Sequence, residues 1–247
     1  MPKDNIRASI IITTFNRDHL LKWALKSLAV QDIRDSLDIL VVNDGLHGET
    51  QALATEYGAR YVFYGHRNGK GEAWRSQGVS LNKGVPLLQS DNLIISAGEV
   101  CCLDNDCVRQ MVEVLESDPK AIVVPLGRDD WPQSYTPILE ATGKHDLEAW
   151  DKLKLLNTKI PFFMGIKRHI FLDIGGYDNA FVGHRGWDDV DFVGRLLVYG
   201  CHYVQTAGRV IHLYHTRTYS SKTKLPKAKE IYESQVGTIY RNGATPK

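Results

Sequence analysis

Residues 8–16 read ASIIITTFN, a β-branched apolar run with no polar alternation, closed by an asparagine. Such a run suits a strand covered on both faces, as in a parallel sheet. Residues 38–45, DILVVNDG, repeat the pattern and close on Asp44-Gly45; NLIIS (92–96) and AIVVP (121–125) are further short apolar runs. Helical patterns lie between them. Asp18 stands where a cap would precede HLLKWALKSLAV (19–30), in which Leu20, Leu21, Ala24, Leu25 and Leu28 share a face. A polar helix near 49–57 leads to a strand ARYVFYG (59–65), and NDCVRQMVEVLES (105–117) is a helix stopped by Asp118-Pro119. Strands alternating with helices predict an α/β fold with a parallel, doubly wound sheet.

The rest of the chain is less regular. GKGEAWRSQGVSLNKGVPLLQS (69–90) reads as mixed helix and loop, and a helix is expected near 145–156. A strand PFFMGIKR (161–168), a helix DDVDFVGRLLVYG (188–200) and a strand GRVIHLYH (208–215) follow, then a polar, Lys-rich tail with a helix near 227–240. There is no internal repeat and no low-complexity tract, so one domain is expected.

The 247 residues carry 30 Lys and Arg against 29 Asp and Glu, a net charge of +1. That balance argues against broad electrostatic attachment to nucleic acid, which needs a basic excess. No apolar run approaches the roughly 20 residues that cross a bilayer. MPKDNIRAS holds no apolar leader core, so the expected location is cytoplasmic, with peripheral contact at a membrane left open. The four cysteines (Cys101, Cys102, Cys107, Cys201) lack both a disulfide-framework and a paired C-x-x-C spacing, and are expected to be reduced and buried.

In open parallel sheets ligands sit beyond the carboxyl ends of the strands. The residues placed there are Thr13, Thr14, Phe15, Asn16 and Arg17, then Asn43, Asp44 and Gly45, then Ser96, Ala97, Gly98 and Glu99. One such cluster is equally well loop and cap chemistry, but polar residues ending all three strands exceed what capping requires. No G-x-G-x-x-G follows the first strand and no G-x-x-x-x-G-K-[ST] occurs, which argues against dinucleotide and P-loop sites. A carboxylate such as Asp44 can instead accept hydrogen bonds from a base or ribose, with Arg17, Lys70 and Arg75 available to a diphosphate. Residues 175–200, GGYDNAFVGHRGWDDVDFVGRLLVYG, hold three aspartates at a helix start, Asp188, Asp189 and Asp191, where one acid would suffice as a cap.

SIIITTFNR, DILVVNDG, RNGKGEAWRSQGV, the GGYD…GWDDVDF segment and VIHLYH, in this order from residue 8 to 215, resemble the GT-A fold glycosyltransferases of family 2. The resemblance implies a GT-A, Rossmann-like, mostly parallel central sheet with flanking helices. It assigns a nucleotide-binding half to about residues 1–125, an acceptor and catalytic half to about 126–215, and a tail to 216–247. It implies a hexosyl-type transfer from a nucleotide-diphosphate sugar, UDP-sugar favoured, to an acceptor hydroxyl, usually metal-assisted and inverting. Thr13, Phe15, Asn16, Arg17 and Asp44 would hold the nucleoside side of the donor, and Arg75 its phosphates. Asp189 would be the general base, Asp188 would bind an acceptor hydroxyl, and Trp187 would offer a flat face to a sugar ring. Asp191 is expected to make a structural hydrogen bond or salt bridge.

Family members usually end the fourth strand with D-x-D, whose acids hold Mn²⁺ or Mg²⁺. Here Ser96 and Gly98 stand in those places and only Glu99 follows. The resemblance therefore turns to Glu99, His212 and His215 as metal ligands, and imidazole favours Mn²⁺. The triplet Asp104-Asn105-Asp106 comes too late and reads as a helix cap. Without a metal, Arg217, Lys222 and Lys224 would neutralise the leaving diphosphate. VPLLQSD (85–91) exceeds the family's usual length, an insertion that costs little stability if it sits on the surface. TTFNRDH has no glycine, which argues against a nucleotidyltransferase. A catalytically decayed nucleotide-sugar binder stays open, as does an acceptor among glycans, lipid-linked sugars, proteins and modified nucleic-acid bases. A loop with Trp131 and Tyr135 is a candidate acceptor wall, and Lys227 and Lys229 belong to a basic cluster that reads chiefly as a solvated face.

Overall fold

The computed structural model describes residues 5–66, 76–156, 159–184, 186–216 and 225–245. The first half runs β1 (Ala8–Thr14), α1 (Asp18–Ala29), β2 (Leu37–Asn43), α2 (Thr50–Glu56), β3 (Arg60–Phe63), α3 (Gln77–Gly84), β4 (Asn92–Ala97), β5 (Val100–Cys102) and α4 (Cys107–Ser117). The second continues with β6 (Ala121–Asp129), α5 (Thr136–Thr142), α6 (Leu147–Asp151), β7 (Lys154–Leu155), β8 (Phe163–Lys167), α7 (Arg168–Asp173), α8 (Asp188–Val198), β9 (His202–His212) and α9 (Leu225–Gln235).

The strands form one sheet in the order β3-β2-β1-β4-β8-β6-β9-β5, with β7 beside β6. β1, β2, β3, β4, β6 and β9 run one way, while β5, β7 and β8 run against them. The mostly parallel α/β sheet expected from the sequence is present. The antiparallel pairs β4·β8, β6·β8, β6·β7 and β5·β9 are all formed between strands distant in the chain.

β1 explains the unbroken apolar run. Ile10 and Ile12 pack on one face with Leu21, Leu25 and Leu28 of α1 and with Val108, Met111 and Leu115 of α4. Ile11 points to the other face, with Leu81 of α3, Phe171 of α7, and Phe192 and Leu196 of α8. Both faces are covered, so neither parity of the strand can be polar. All four cysteines are free and buried, as expected.

Several local expectations change. Asp18 opens α1 without capping it, and its Oδ1 accepts from Thr50 Oγ1 at 2.6 Å. Asp104 pairs with Arg209 at 2.6 Å, and Asp106 precedes α4 without a side-chain cap bond, holding Arg109 and Gln110 instead. The insertion lies at the surface but is anchored: Pro86, Leu87, Gln89 and Asp91 are exposed, while Val85 and Leu88 are buried and Ser90 N–H donates to Ser9 Oγ at 2.9 Å. The helix expected near 145–156 shrinks to α6, because the chain turns to pair β7 with β6. Tyr135 is a core residue rather than a wall, 1% exposed, with its hydroxyl 2.8 Å from His145 Nδ1. No helix among the described residues is long and apolar enough to cross a membrane.

Candidate active site at the carboxyl ends of the strands

The loops after β1, β2 and β4 come together at one end of the sheet. Asn16 adopts a left-handed φ of 55°, which its short polar side chain tolerates because Oδ1 accepts from Leu46 N–H at 2.6 Å. A side chain at Gly45 would meet Asn16 Oδ1 at 2.4 Å, so this clasp requires glycine there. Thr13 is buried near the end of β1, and the Phe15 ring lies 5.2 Å from the His66 ring. Asp44 is fully enclosed, with Ser80 Oγ of α3 donating to Oδ2 at 2.7 Å.

Glu99 occupies the tight turn between β4 and β5, where the usual acid pair is missing. A side chain at Gly98 would come within 3.1 Å of the Thr14 side chain, a tight fit, and Ser96 is buried and donates to Ala97 O. Glu99 Oε1 receives Arg17 NH1 at 2.5 Å, with His215 Nε2 at 3.4 Å and His212 Nε2 at 3.7 Å. Burial would raise the Glu99 carboxyl, but His212, Arg17 and His215 together draw it down to about 2. Burial opposes charge on His212, yet Asp129 and Glu99 outweigh it and lift the imidazole to about 9.

Glu99, His212 and His215 each offer one ligand atom, and these atoms lie within 4.8 Å of one another. His212 Nδ1 is held 3.1 Å from Asp129 Oδ1, while its buried Nε2 has no hydrogen-bond partner among the described residues. A carboxylate on the far nitrogen, with the near nitrogen unsatisfied, is how a ligating histidine is prepared. The residues present therefore fit a divalent cation. A cavity of about 510 Å³ opens beside them, lined among others by Phe15, Arg17, Gln133, Glu140, Tyr214 and His215, in the size range of small-ligand sites.

Across the sheet end, α8 starts at Trp187, whose left-handed φ of 67° turns the chain sharply into the helix. The three aspartates separate by environment. Asp191 is buried and bonds Arg195 at 2.8 Å and Arg241 at 3.0 Å, the structural part expected of it. Asp188 is buried at the helix start. Asp189 keeps a solvent face, and its Oδ1 accepts from Tyr177 OH at 3.0 Å and Gln77 Nε2 at 3.1 Å. Burial and the neighbouring Asp188 charge raise the Asp189 carboxyl to about 7, against the pull of those two hydrogen bonds. A carboxylate that exchanges its proton near neutrality suits proton abstraction. One face of Trp187 stacks on Tyr232 of α9 at 5.0 Å.

Asp189 connects to the donor side through α3: Thr13 Oγ1 lies 3.5 Å from Gln77 Oε1, and Thr13 O accepts from Gly98 N–H at 3.0 Å, one residue before Glu99. The predicted residues thus form two groups, Glu99 with Arg17 and both histidines, and the α8 acids, joined by Thr13 and Gln77. Gln77, Ser80, Tyr177 and Asp129 were not singled out from the sequence. Only Tyr177 and Gln77 had a signal, as members of quoted motifs without a role. Lys70, Arg75, Arg217, Lys222 and Lys224 lie outside the described residues. Lys227 and Lys229 pair with Glu230 and Glu233, as on a solvated helix face.

The family model for glycosyl transferase family 2 matches residues 9–175, more than half of the chain, and the chain belongs to that family. The match ends ahead of α8. A search of the curated proteins finds no match. Among solved structures, a mannosyltransferase from Pyrobaculum calidifontis in complex with GDP-Man and Mn²⁺ is similar at TM-score 0.60 and 16% identity, covering 95% of this chain and 63% of that one. S. aureus TarS 1-349 is similar at TM-score 0.60 and 13% identity, covering 83% of this chain and 60% of that one. This chain spans less than two thirds of either structure, and at these identities the likeness shows a shared fold.

Proposed function

Taking membership of glycosyltransferase family 2 as the premise, we propose that the protein transfers a hexosyl group from a nucleoside-diphosphate sugar to an acceptor hydroxyl, with inversion. The observation that carries this reading is Asp189: a carboxyl raised to about 7, with one oxygen held by two donors, at the start of α8. As the acceptor oxygen attacks the anomeric carbon, Asp189 takes its proton, the bond from that carbon to the phosphate oxygen breaks, and the electron pair leaves with the diphosphate. A single displacement of this kind inverts the anomeric centre.

Thr13, Phe15, Asn16, Arg17, Asp44 and Arg75 are proposed to seat the donor, and Asp188 and Trp187 the acceptor. Glu99, His212 and His215 would hold Mn²⁺ or Mg²⁺, which when bound offsets the charge of the diphosphate. Arg17, already paired with Glu99 at 2.5 Å, puts a second positive group at the same place. UDP-sugars are the favoured donors, and the GDP-Man complex of the mannosyltransferase neighbour makes GDP-sugars the natural comparison.

The test is a thermal-shift screen of UDP-, GDP-, dTDP- and CMP-sugars, each with and without Mn²⁺, followed by release of nucleotide from any donor that binds. A donor that raises the melting temperature and is turned over by the wild type but not by Asp189→Asn supports the proposal. A second reading, a decayed nucleotide-sugar binder, is favoured by Ser96 and Gly98 in place of the acid pair and by Arg17 on Glu99. Tight donor binding with no turnover in the presence of every acceptor class would select it.

A further inference from the structure

Helix α3 is pinned at several points along its length. Ser80 Oγ donates to buried Asp44 at 2.7 Å. Asn82 Nδ2 donates to Tyr177 O at 2.7 Å, and Asn82 Oδ1 accepts from Tyr177 N–H at 2.8 Å. Gly78 lies so close to Tyr177 that an added Cβ would sit 2.5 Å from its ring, and that ring stacks on Phe192 at 4.4 Å and 11°. The helix and the turn before α8 are therefore one packed unit. From that unit two donors, Gln77 Nε2 and Tyr177 OH, converge on the same oxygen of Asp189 at 3.1 and 3.0 Å.

We propose, resting on the general-base reading of Asp189, that Gln77 and Tyr177 are positioning residues that hold Oδ1 of this carboxylate and so make Oδ2 the oxygen that receives the acceptor's proton. Both hydrogen bonds fall on Oδ1, and Oδ2 accepts none from a described residue. Two donors on one oxygen fix the plane of the carboxylate, and a pre-set plane is what aligns a base with its proton. They also favour the ionised form, which burial and Asp188 disfavour. The described groups acting on this carboxyl are Asp188 of its own helix, Tyr177 of the preceding turn and Gln77 of α3, and it forms no ion pair with a described residue. Gln77 Oε1 faces the Thr13 hydroxyl at 3.5 Å, which orients its amide so that the N–H groups point toward Asp189.

The experiment uses the full chain with Tyr177→Phe, which keeps the ring and its stacking, and Gln77→Leu, each assayed with the donor found active. Three quantities are read: the Kd of the nucleoside diphosphate, kcat across pH, and the melting temperature. The expected result is a Kd within about twofold of wild type and kcat down about tenfold in each variant, the usual effect of losing one hydrogen bond to a charged group. The acid limb of the kcat profile moves to higher pH in both. The double variant loses less than the product of the two single losses, because both donors serve one oxygen. Gln77→Glu, of nearly the same size but presenting a carboxylate, moves the limb further. An unmoved limb with kcat intact, or a loss confined to Kd or to melting temperature, would overturn the proposal. Transfer that survives Asp189→Asn would overturn the general-base reading itself, which separates the two failures.

Discussion

Asp189→Asn tests function and stability together. Asparagine has the same shape, its Oδ1 still accepts from Gln77 and Tyr177, and only the charge and the basic oxygen are lost. The folded-state value is raised from an ordinary 3.8 to about 7, so between those two pH values the folded protein holds a proton that the unfolded chain has released. Stability therefore falls as pH rises through this window and levels off above about 7. The full span sets a ceiling of about 4 kcal/mol. The solvent face of Asp189 reduces this to about 2 kcal/mol, or roughly 4–8 °C in melting temperature for a chain of this size. The variant escapes that penalty, so its advantage over wild type grows between pH 5 and pH 8 while transfer falls by about 10²–10⁴. Thermal or urea denaturation at the two pH values, with nucleotide release on the same samples, reads both effects. A melting difference that does not grow with pH would refute the argument from burial, and retained turnover would refute the argument from proton abstraction.

Arg195→Ala leaves Asp191 buried with Arg241 alone and strips Gly176 O of its side-chain donor, while Ile174 O keeps only Arg241 N–H. A loss of about 3 kcal/mol in urea denaturation is expected, and a loss under about 1 would contradict the network. Gly78→Ala drives a methyl into the Tyr177 ring and is expected to lose about 1–3 kcal/mol and to lower transfer, so a variant of normal stability and activity would show that the ring can move away. His212→Ala is expected to weaken Mn²⁺ binding by the full chain at least about tenfold by titration calorimetry, and an unchanged affinity would remove His212 from the ligand set.

The central strands were legible because burial on both faces leaves a local trace. Ile10, Ile11 and Ile12 must all be apolar when α1 and α4 cover one side and α3, α7 and α8 the other. The excess of acids at α8 was legible for a similar reason, since three carboxylates exceed any capping need. The antiparallel β8 was not legible, because apolar runs do not encode strand direction. The anchoring of the insertion was not legible, because nothing in VPLLQSD distinguishes the solvent-facing Leu87 from Leu88, which joins the core cluster of Leu40 and Val42.

The central strands β1, β2, β4 and β6 and the acid-bearing helix follow from the amino-acid sequence read by itself, and the candidate ligands Glu99, His212 and His215 from the family that its motifs resemble. The tertiary structure alone decides which oxygen of Asp189 is held, that Arg17 sits on Glu99, and that Asp129 stands behind His212. These contacts join residues 82 to 112 positions apart, apart from that of Tyr177 on Asp189. Local periodicity specifies which face of an element is apolar. It carries no information about which distant element that face meets, and the protonation of a carboxylate depends on that meeting.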